Sequence, residues 1–499
     1  MPIGFGSPFR GGILFDRLSA DALAFCRMGH DLPHPNPVMI LPFILLLAVI
    51  ALAPLRFPNW WSKHYPKASY GLGAVTLGYY LFGLGAIPRV LHVGHEYLSF
   101  IVLIGSLFVV SGGIHIRVKG EATPLVNVVF LACGAVLANL LGTTGASMLL
   151  IRPWIRLNKY RVTAHHVVFF IFIVSNVGGC LTPVGDPPLF LGYLKGIPFW
   201  WVAEHCWLIW LVGVGILLAM FYVVDYRNYM RAPKGVRAAL AEPADDWHIG
   251  GLGNLVFLGV ILGAVFINNP PLLREALMVA AAAGSYLTTR PDVHEANHFN
   301  LHPIQEVAIL FAGIFATMIP ALDWLQLNAG QMHSPTPAFF YWGSGLLSSV
   351  LDNAPTYLSF LSAVFGSFIQ KDTVDQVLVL VQNGGADLAS AAEPVRQTYV
   401  ALQKYFGAGL TGQTVTTEQI DVAFLLGNAA FNNYIVAISA GAVFFGANTY
   451  IGNGPNFMVK AIADQSKVHT PTFLGYIFRF TLPYMLPMLA IVWWLFFRR

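Results

Sequence analysis

The sequence predicts an all-α polytopic membrane protein: about ten transmembrane helices and two re-entrant hairpins, arranged as an inverted repeat with two unwound, broken helices. Three observations carry this. Of 499 residues, 56% are hydrophobic and 10% charged, against roughly a quarter charged in soluble domains. Apolar runs of bilayer length recur from end to end. Two of those runs are interrupted by glycine, proline and polar residues, and the chain matches itself at a fixed offset.

Residues 1–37 form a tail with Arg10, Asp16, Arg17, Asp21, Arg27 and Asp31, and lack the basic start and apolar run of a cleavable signal peptide. Spans of suitable length follow near 38–55, 70–87, 97–116, 165–190, 200–223, 250–268, 274–289, 305–320, 422–463 and 473–497. Two further apolar runs, 125–150 and 337–367, are broken by "LGTTGAS" and "LLSSVLDNAPTYLSF". Two short apolar arms around a polar break read as a re-entrant hairpin.

Shifted by 210 residues, "EYLSFIVLIGSLFVVSGGI" from Glu96 lies on "EVAILFAGIFATMIPAL" from Glu306. The same shift sets "ANLLGTTGAS" on "SSVLDNAPTY", pairing Gly142 with Asp352 and Thr143 with Asn353. Further on the shift is 267: "TPVGDPPLF" meets "TYIGNGPNF", and Asp186 pairs with Asn453. The difference places an insertion in the second half, where the polar stretch 370–421 stands. The organisation is then a first repeat at 38–223, a basic loop at 224–249, and a second repeat at 250–497 carrying the insertion. Five spans and one hairpin per half is an odd number of crossings, so the second half enters the membrane upside down, as in secondary transporters.

Arg152, Arg156, Lys159 and Arg161 after the first hairpin, and Arg227, Arg231, Lys234 and Arg237 between the halves, mark one side as cytoplasmic. The insertion, on the other side, holds six acids against three bases. A net charge of +4 spread over short loops argues topology and not nucleic-acid binding. The four cysteines have no metal-like spacing, and no nucleotide-binding fingerprint appears.

The glycines and prolines of "NVGGCLTPVGDPPLF" (Asn176–Phe190) and "GANTYIGNGPNF" (Gly446–Phe457) stop two helices halfway across. The freed carbonyls and amides need partners, in a cavity or on an ion. Two breaks meeting two hairpin tips build one midplane site. Its candidate carboxylates are Asp186 and Asp352, with Thr143, Asn176, Thr182, Asn353, Thr356, Asn448, Thr449 and Asn453 as neutral ligands. A buried carboxylate can exchange a proton for Na⁺ on the same oxygens. Either aspartate could instead cap a half-helix. Glu96 and Glu306 read as interfacial first-turn acids.

These motifs, "LDNAPT", "NVGGCLTPVGDPPLF" and "NTYIGNGPNF", resemble the signatures of the ion transporter superfamily, from about residue 38 to the C-terminus. The likeness is closest to its D-type sodium/proton antiporters and citrate transporters. It implies two hairpins and two unwound helices around the site, a rocking or elevator motion, often a homodimer, and a bacterial inner membrane. Sodium–dicarboxylate symporters of that superfamily carry a Ser-Asn-Thr triplet at each tip. Here the tips read Gly142-Thr143-Thr144 and Asp352-Asn353-Ala354. With Asp186 and Asp352 holding Na⁺, the leading reading is a sodium (or lithium)/proton antiporter, with no cofactor beyond the transported Na⁺ or H⁺. The alternative is a carrier for citrate or another carboxylate, perhaps metal-complexed, coupled to H⁺ or Na⁺; arsenite or another small oxyanion ranks below it. An intramembrane aspartyl protease is more distant, because it leaves the internal repeat unexplained.

Overall fold

A computed structural model describes residues 33–117, 123–231, 248–267, 270–297, 299–331, 335–411 and 415–498. Most of the tail, and Lys234 and Arg237 of the inter-repeat loop, lie outside the described residues. The chain is an all-α polytopic membrane protein, with one two-stranded ribbon besides the helices among the described residues. Contacts divide it into two units: residues 35–367 with 430–499, and residues 368–429.

The larger unit begins with α1 (Leu41–Arg56) and α2 (Pro58–Gly78), which continues as a π-turn through Gly83. Then come α3 (Ile87–Gly112) and α4 (Pro124–Leu157). A broken helix follows as α5 (Ala164–Ile173), a 3₁₀ turn at Val177–Gly179, and α6 (Pro187–Leu194). α7 (Phe199–Arg231) closes the first half. The second half runs through α8 (Asn254–Ala264), α9 (Leu273–Thr288), α10 (Pro291–Ala296) and α11 (His302–Asn328). Its hairpin is α12 (Pro337–Ser348) and α13 (Asn353–Phe368).

The smaller unit holds α14 (Lys371–Gln382), α15 (Glu393–Thr411) and α16 (Thr417–Gly427). The larger unit then resumes with α17 (Ala429–Phe445), a 3₁₀ turn at Gly446–Asn448, α18 (Gly454–Gln465), and α19 (Phe473–Phe496), whose middle is π-helical.

Seven of the described helices are long and apolar enough to cross a membrane; one of them is α4, expected as a hairpin, so the other six answer to the ten or so expected spans. The shortfall has physical causes. Residues 70–87 belong to a helix whose polar first turns, "PNWWSKHYPK", dilute its hydropathy. Residues 165–190 are interrupted by their own break, α8 has only 11 residues, and α9, at the expected span 274–289, has 16. The expected span 422–463 is split, because residues 422–427 complete α16 in the smaller unit. The loop 224–249 is also corrected, since α7 carries Arg227 and Arg231 as helical residues.

Both hairpins start at a Thr-Pro pair. Thr123 and Thr336 each accept the N–H of the third residue on, and Pro124 and Pro337 fill the first helical position. α4 is two helical arms joined at a kink at Gly142, whose φ of 73° suits only glycine without strain. α2 and α11 pack through small residues: a Cβ on Gly313 would sit 2.8 Å from Ser69 Cβ. A strand after α3, β1 (His115–Arg117), pairs antiparallel with β2 (His248–Gly250) and stitches the halves together.

The insertion expected at 370–421 is an ordered helical unit spanning 368–429, around a core of Val374, Val377, Leu380, Val395, Leu402 and Ile420. Burial, with Glu418 adding, pushes the carboxyl of Asp421 up to about 7. Below the unfolded value both states hold the proton. Between there and about 7 only the folded unit holds it, so stability falls as pH rises across that window. Asp421→Asn is therefore expected to raise hydrogen-exchange protection of residues 368–429 at pH 8, with no gain at pH 4. An equal gain at both would disprove the assignment.

Candidate functional site

The two breaks are built by the same hydrogen bonds, 267 residues apart in sequence. Thr182 Oγ1 donates to the carbonyl of Asn139 (2.7 Å) and accepts from Gly185 N (3.0 Å). Thr449 Oγ1 donates to the carbonyl of Ser349 (2.6 Å) and accepts from Gly452 N (3.1 Å). Asn139 and Ser349 are related by the shift of 210. Each threonine thus ties a break to the hairpin of its own half. Glycine is required where each break folds on itself: a Cβ on Gly185 would lie 2.2 Å from Gly179 O, and one on Gly452 2.5 Å from Gly446 O.

Asp186 and Asn453 precede α6 and α18 at the N-cap position, yet neither side chain caps its helix. Both point into the protein. Asp186 is fully buried and gathers three donors from three separate elements. Thr143 Oγ1, at the first hairpin tip, donates to Oδ1 at 2.7 Å. Asn453 Nδ2, at the other break, reaches the same oxygen at 3.2 Å. Asn353 Nδ2, at the second hairpin tip, donates to Oδ2 at 2.5 Å. The first tip is also fixed by Thr143 N, which donates to Gly185 O at 2.7 Å. All four polar turns therefore meet at one carboxylate, and each donor to it is neutral.

Asn176 joins this group indirectly: its Oδ1 accepts from Asn453 Nδ2 at 3.2 Å, and its Nδ2 donates to Asn456 Oδ1 at 2.7 Å. Asn448 Nδ2 donates to Ser349 Oγ at 2.8 Å. Two carbonyl oxygens, Asn353 Oδ1 and Asn448 Oδ1, are buried without a hydrogen-bond donor among the described residues. Unpaired buried acceptors of this kind suit a cation. Asp352 is placed differently. Its Oδ1 accepts from Ala354 N at 3.0 Å, capping α13, and Thr356 Oγ1 donates to its backbone carbonyl at 3.0 Å. Among the described residues no hydrogen bond joins the two carboxylates, so Asp352 takes the cap position and Asp186 the centre.

Two site residues escaped the sequence reading. Asn139 sits inside an apolar helical arm, and its side chain holds Leu181 N and the carbonyl of Gly178. Asn456 lies one turn into α18, where it donates to the carbonyls of Gly446 and Thr449. Both are amides facing freed backbone groups. An asparagine in an apolar run beside a break was the available signal.

Two other readings are corrected. Glu96 is not a first-turn acid: it stands well inside α3, buried and 2.6 Å from Lys195 Nζ. Arg161 is no free loop charge, because it is buried against both oxygens of Asp225. His165, His166 and Asn127 complete that cluster. The ligand atoms of His165, His166 and Asp225 lie within 4.8 Å of one another, but Arg161 donates to both oxygens of Asp225. His166 Nδ1 accepts from Thr163 N, which leaves the proton on Nε2, facing Asp225. Asp225→Asn is expected to cost about 3–5 kcal/mol, because it strands a buried guanidinium. A thermal melt in detergent that matches wild type would refute this.

Compared with known proteins, residues 34–497 match the family model described as "Putative citrate transport". No curated protein matches the chain.

Proposed function

The chain belongs to the family described as "Putative citrate transport", and we propose that it is a secondary carrier moving citrate or a related polycarboxylate together with a cation held at Asp186. The observation that carries this is the full burial of Asp186 amid hydroxyl and amide donors from both halves of the chain. A carboxylate there is costly unless protonated or cation-bound. A citrate anion beside it would be repelled by several kcal/mol at low effective dielectric. A bound cation removes that repulsion, so substrate and cation favour each other's binding. Asn353 Oδ1 and Asn448 Oδ1 add neutral oxygen ligands of the kind Na⁺ takes.

A second reading, Na⁺ (or Li⁺)/H⁺ exchange without a carboxylate, is favoured by one observation: among the described residues no basic side chain donates to Asp186. The resemblance of the break motifs supports a homodimer in a bacterial inner membrane for either reading.

Proteoliposomes with an imposed pH gradient test the choice. Labelled citrate uptake that requires Na⁺, H⁺ or a divalent ion supports the carrier. Sodium-driven dequenching of an internal pH dye, with no citrate uptake under any cation, would replace it with the exchanger.

A further inference from the structure

The first-hairpin arm that carries Thr143 also carries Arg152, nine residues on in the same helix. Arg152 is partly buried, and no carboxylate pairs with it among the described residues. Its charged neighbour is Arg156, one turn further, which adds to the positive charge. Arg152 stands five residues before the end of α4, beyond the last turn where the helix dipole would help it. An unpaired guanidinium in a membrane helix is costly, and Arg161 in the same region shows the usual remedy in its pairing with Asp225.

The surroundings of Arg152 point to what pairs with it. It lines a small recess with Phe108, Ser111, Met148, Asn297 and Phe299, between the arm and the end of α3. Ser111 is 1% exposed, and its Oγ has no hydrogen-bond partner among the described residues. Asn297 cannot supply one, since its Nδ2 is committed to the carbonyls of Gly112 and Ile114 and its Oδ1 to His115. A hydroxyl donor without an acceptor and a guanidinium without a carboxylate line one recess, and together they are the donor set for one oxyacid group.

We propose that Arg152 and Ser111 bind a carboxylate of the transported substrate on its way to or from Asp186. This rests on the carrier reading above for the ligand's identity. The anion would then sit at Arg152, on the arm whose tip residue Thr143 hydrogen-bonds the cation-holding Asp186. A phosphate of an anionic lipid offers the same oxygen chemistry, and the test separates the two.

In proteoliposomes of neutral phosphatidylcholine, Arg152→Gln is expected to raise the KM for citrate by about tenfold or more. Maximal rate should change little, and Arg152→Lys should recover part of the loss. In parallel, citrate should slow phenylglyoxal modification of Arg152 in the wild-type protein, read by peptide mass spectrometry. That readout does not need transport, so it decides the inference even if the wild type moves no citrate. An unchanged KM in Arg152→Gln beside a citrate-transporting wild type would overturn the proposal, as would modification indifferent to citrate. Protection by phosphatidylglycerol alone, with a transport defect only in vesicles containing it, would assign the recess to lipid instead.

Discussion

Asp186→Asn is expected to lower citrate uptake, or sodium-driven proton movement, by about a hundredfold or more in a protein that still folds. A contact between a charged group and its ligand is worth roughly 1.5–3 kcal/mol, and each 1.4 kcal/mol is a decade. The substitution also puts an amide where Asn353 Nδ2 and Asn453 Nδ2 both donate, so one of its own N–H groups meets a donor. Folding should persist, because Thr182 and the paired glycines hold the break independently of this side chain. Thr143→Ala removes one donor of three and should cost about tenfold or less. The measurement is initial uptake in proteoliposomes at matched protein density. Full activity in Asp186→Asn would show the carboxylate to be structural and overturn the cation site.

Gly185→Ala and Gly452→Ala form the second large prediction, and the repeat requires them to behave alike. Each new methyl meets a backbone carbonyl, at 2.2 Å from Gly179 and 2.5 Å from Gly446. Backbone cannot rotate away as a side chain could, so the clash should cost about 1–3 kcal/mol or more and open the break. At Gly185 it would also displace the carbonyl that accepts Thr143 N. Both variants should lose transport and melt earlier in detergent. Gly94→Ala is the control: it lies in α3 with nothing within 4 Å of the added carbon, and alanine is the better helix former. A neutral Gly452→Ala beside a damaging Gly185→Ala would mean that the matching hydrogen bonds do not reflect matching roles.

The breaks were legible because glycine, proline and a carboxylate inside an apolar run are costly, and such costs need a compensating role. The self-match was legible for the same reason, and it reappears as paired bonds at Thr182 and Thr449. What the sequence could not give was direction. Thr182 and Thr449 had the composition of ion ligands, yet their hydroxyls hold backbone, since a broken helix must satisfy its own carbonyls first. Asp352 carries the same chemistry as Asp186 but stands beside a free helix N-terminus and bonds there. Charge counting failed where a charge was paired: Arg161 and Glu96 looked like solvated ends, but their partners, Asp225 and Lys195, lie 64 and 99 positions away. Such pairings leave no periodic trace in a single chain.

The bonds at Asp186 also impose an order on biosynthesis. Thr143 is made 43 residues earlier, but Asn353 follows 167 residues later and Asn453 267 residues later. At about 5–20 residues per second, the carboxyl waits on the order of ten seconds to nearly a minute for its amides. During that interval the first half has one donor for an acid that is fully buried in the finished fold. The newly inserted segment must keep that acid protonated, or leave it near the headgroups until the last amide arrives. The two amides that arrive last, Asn353 and Asn453, are neutral, so they complete the donor set without adding charge.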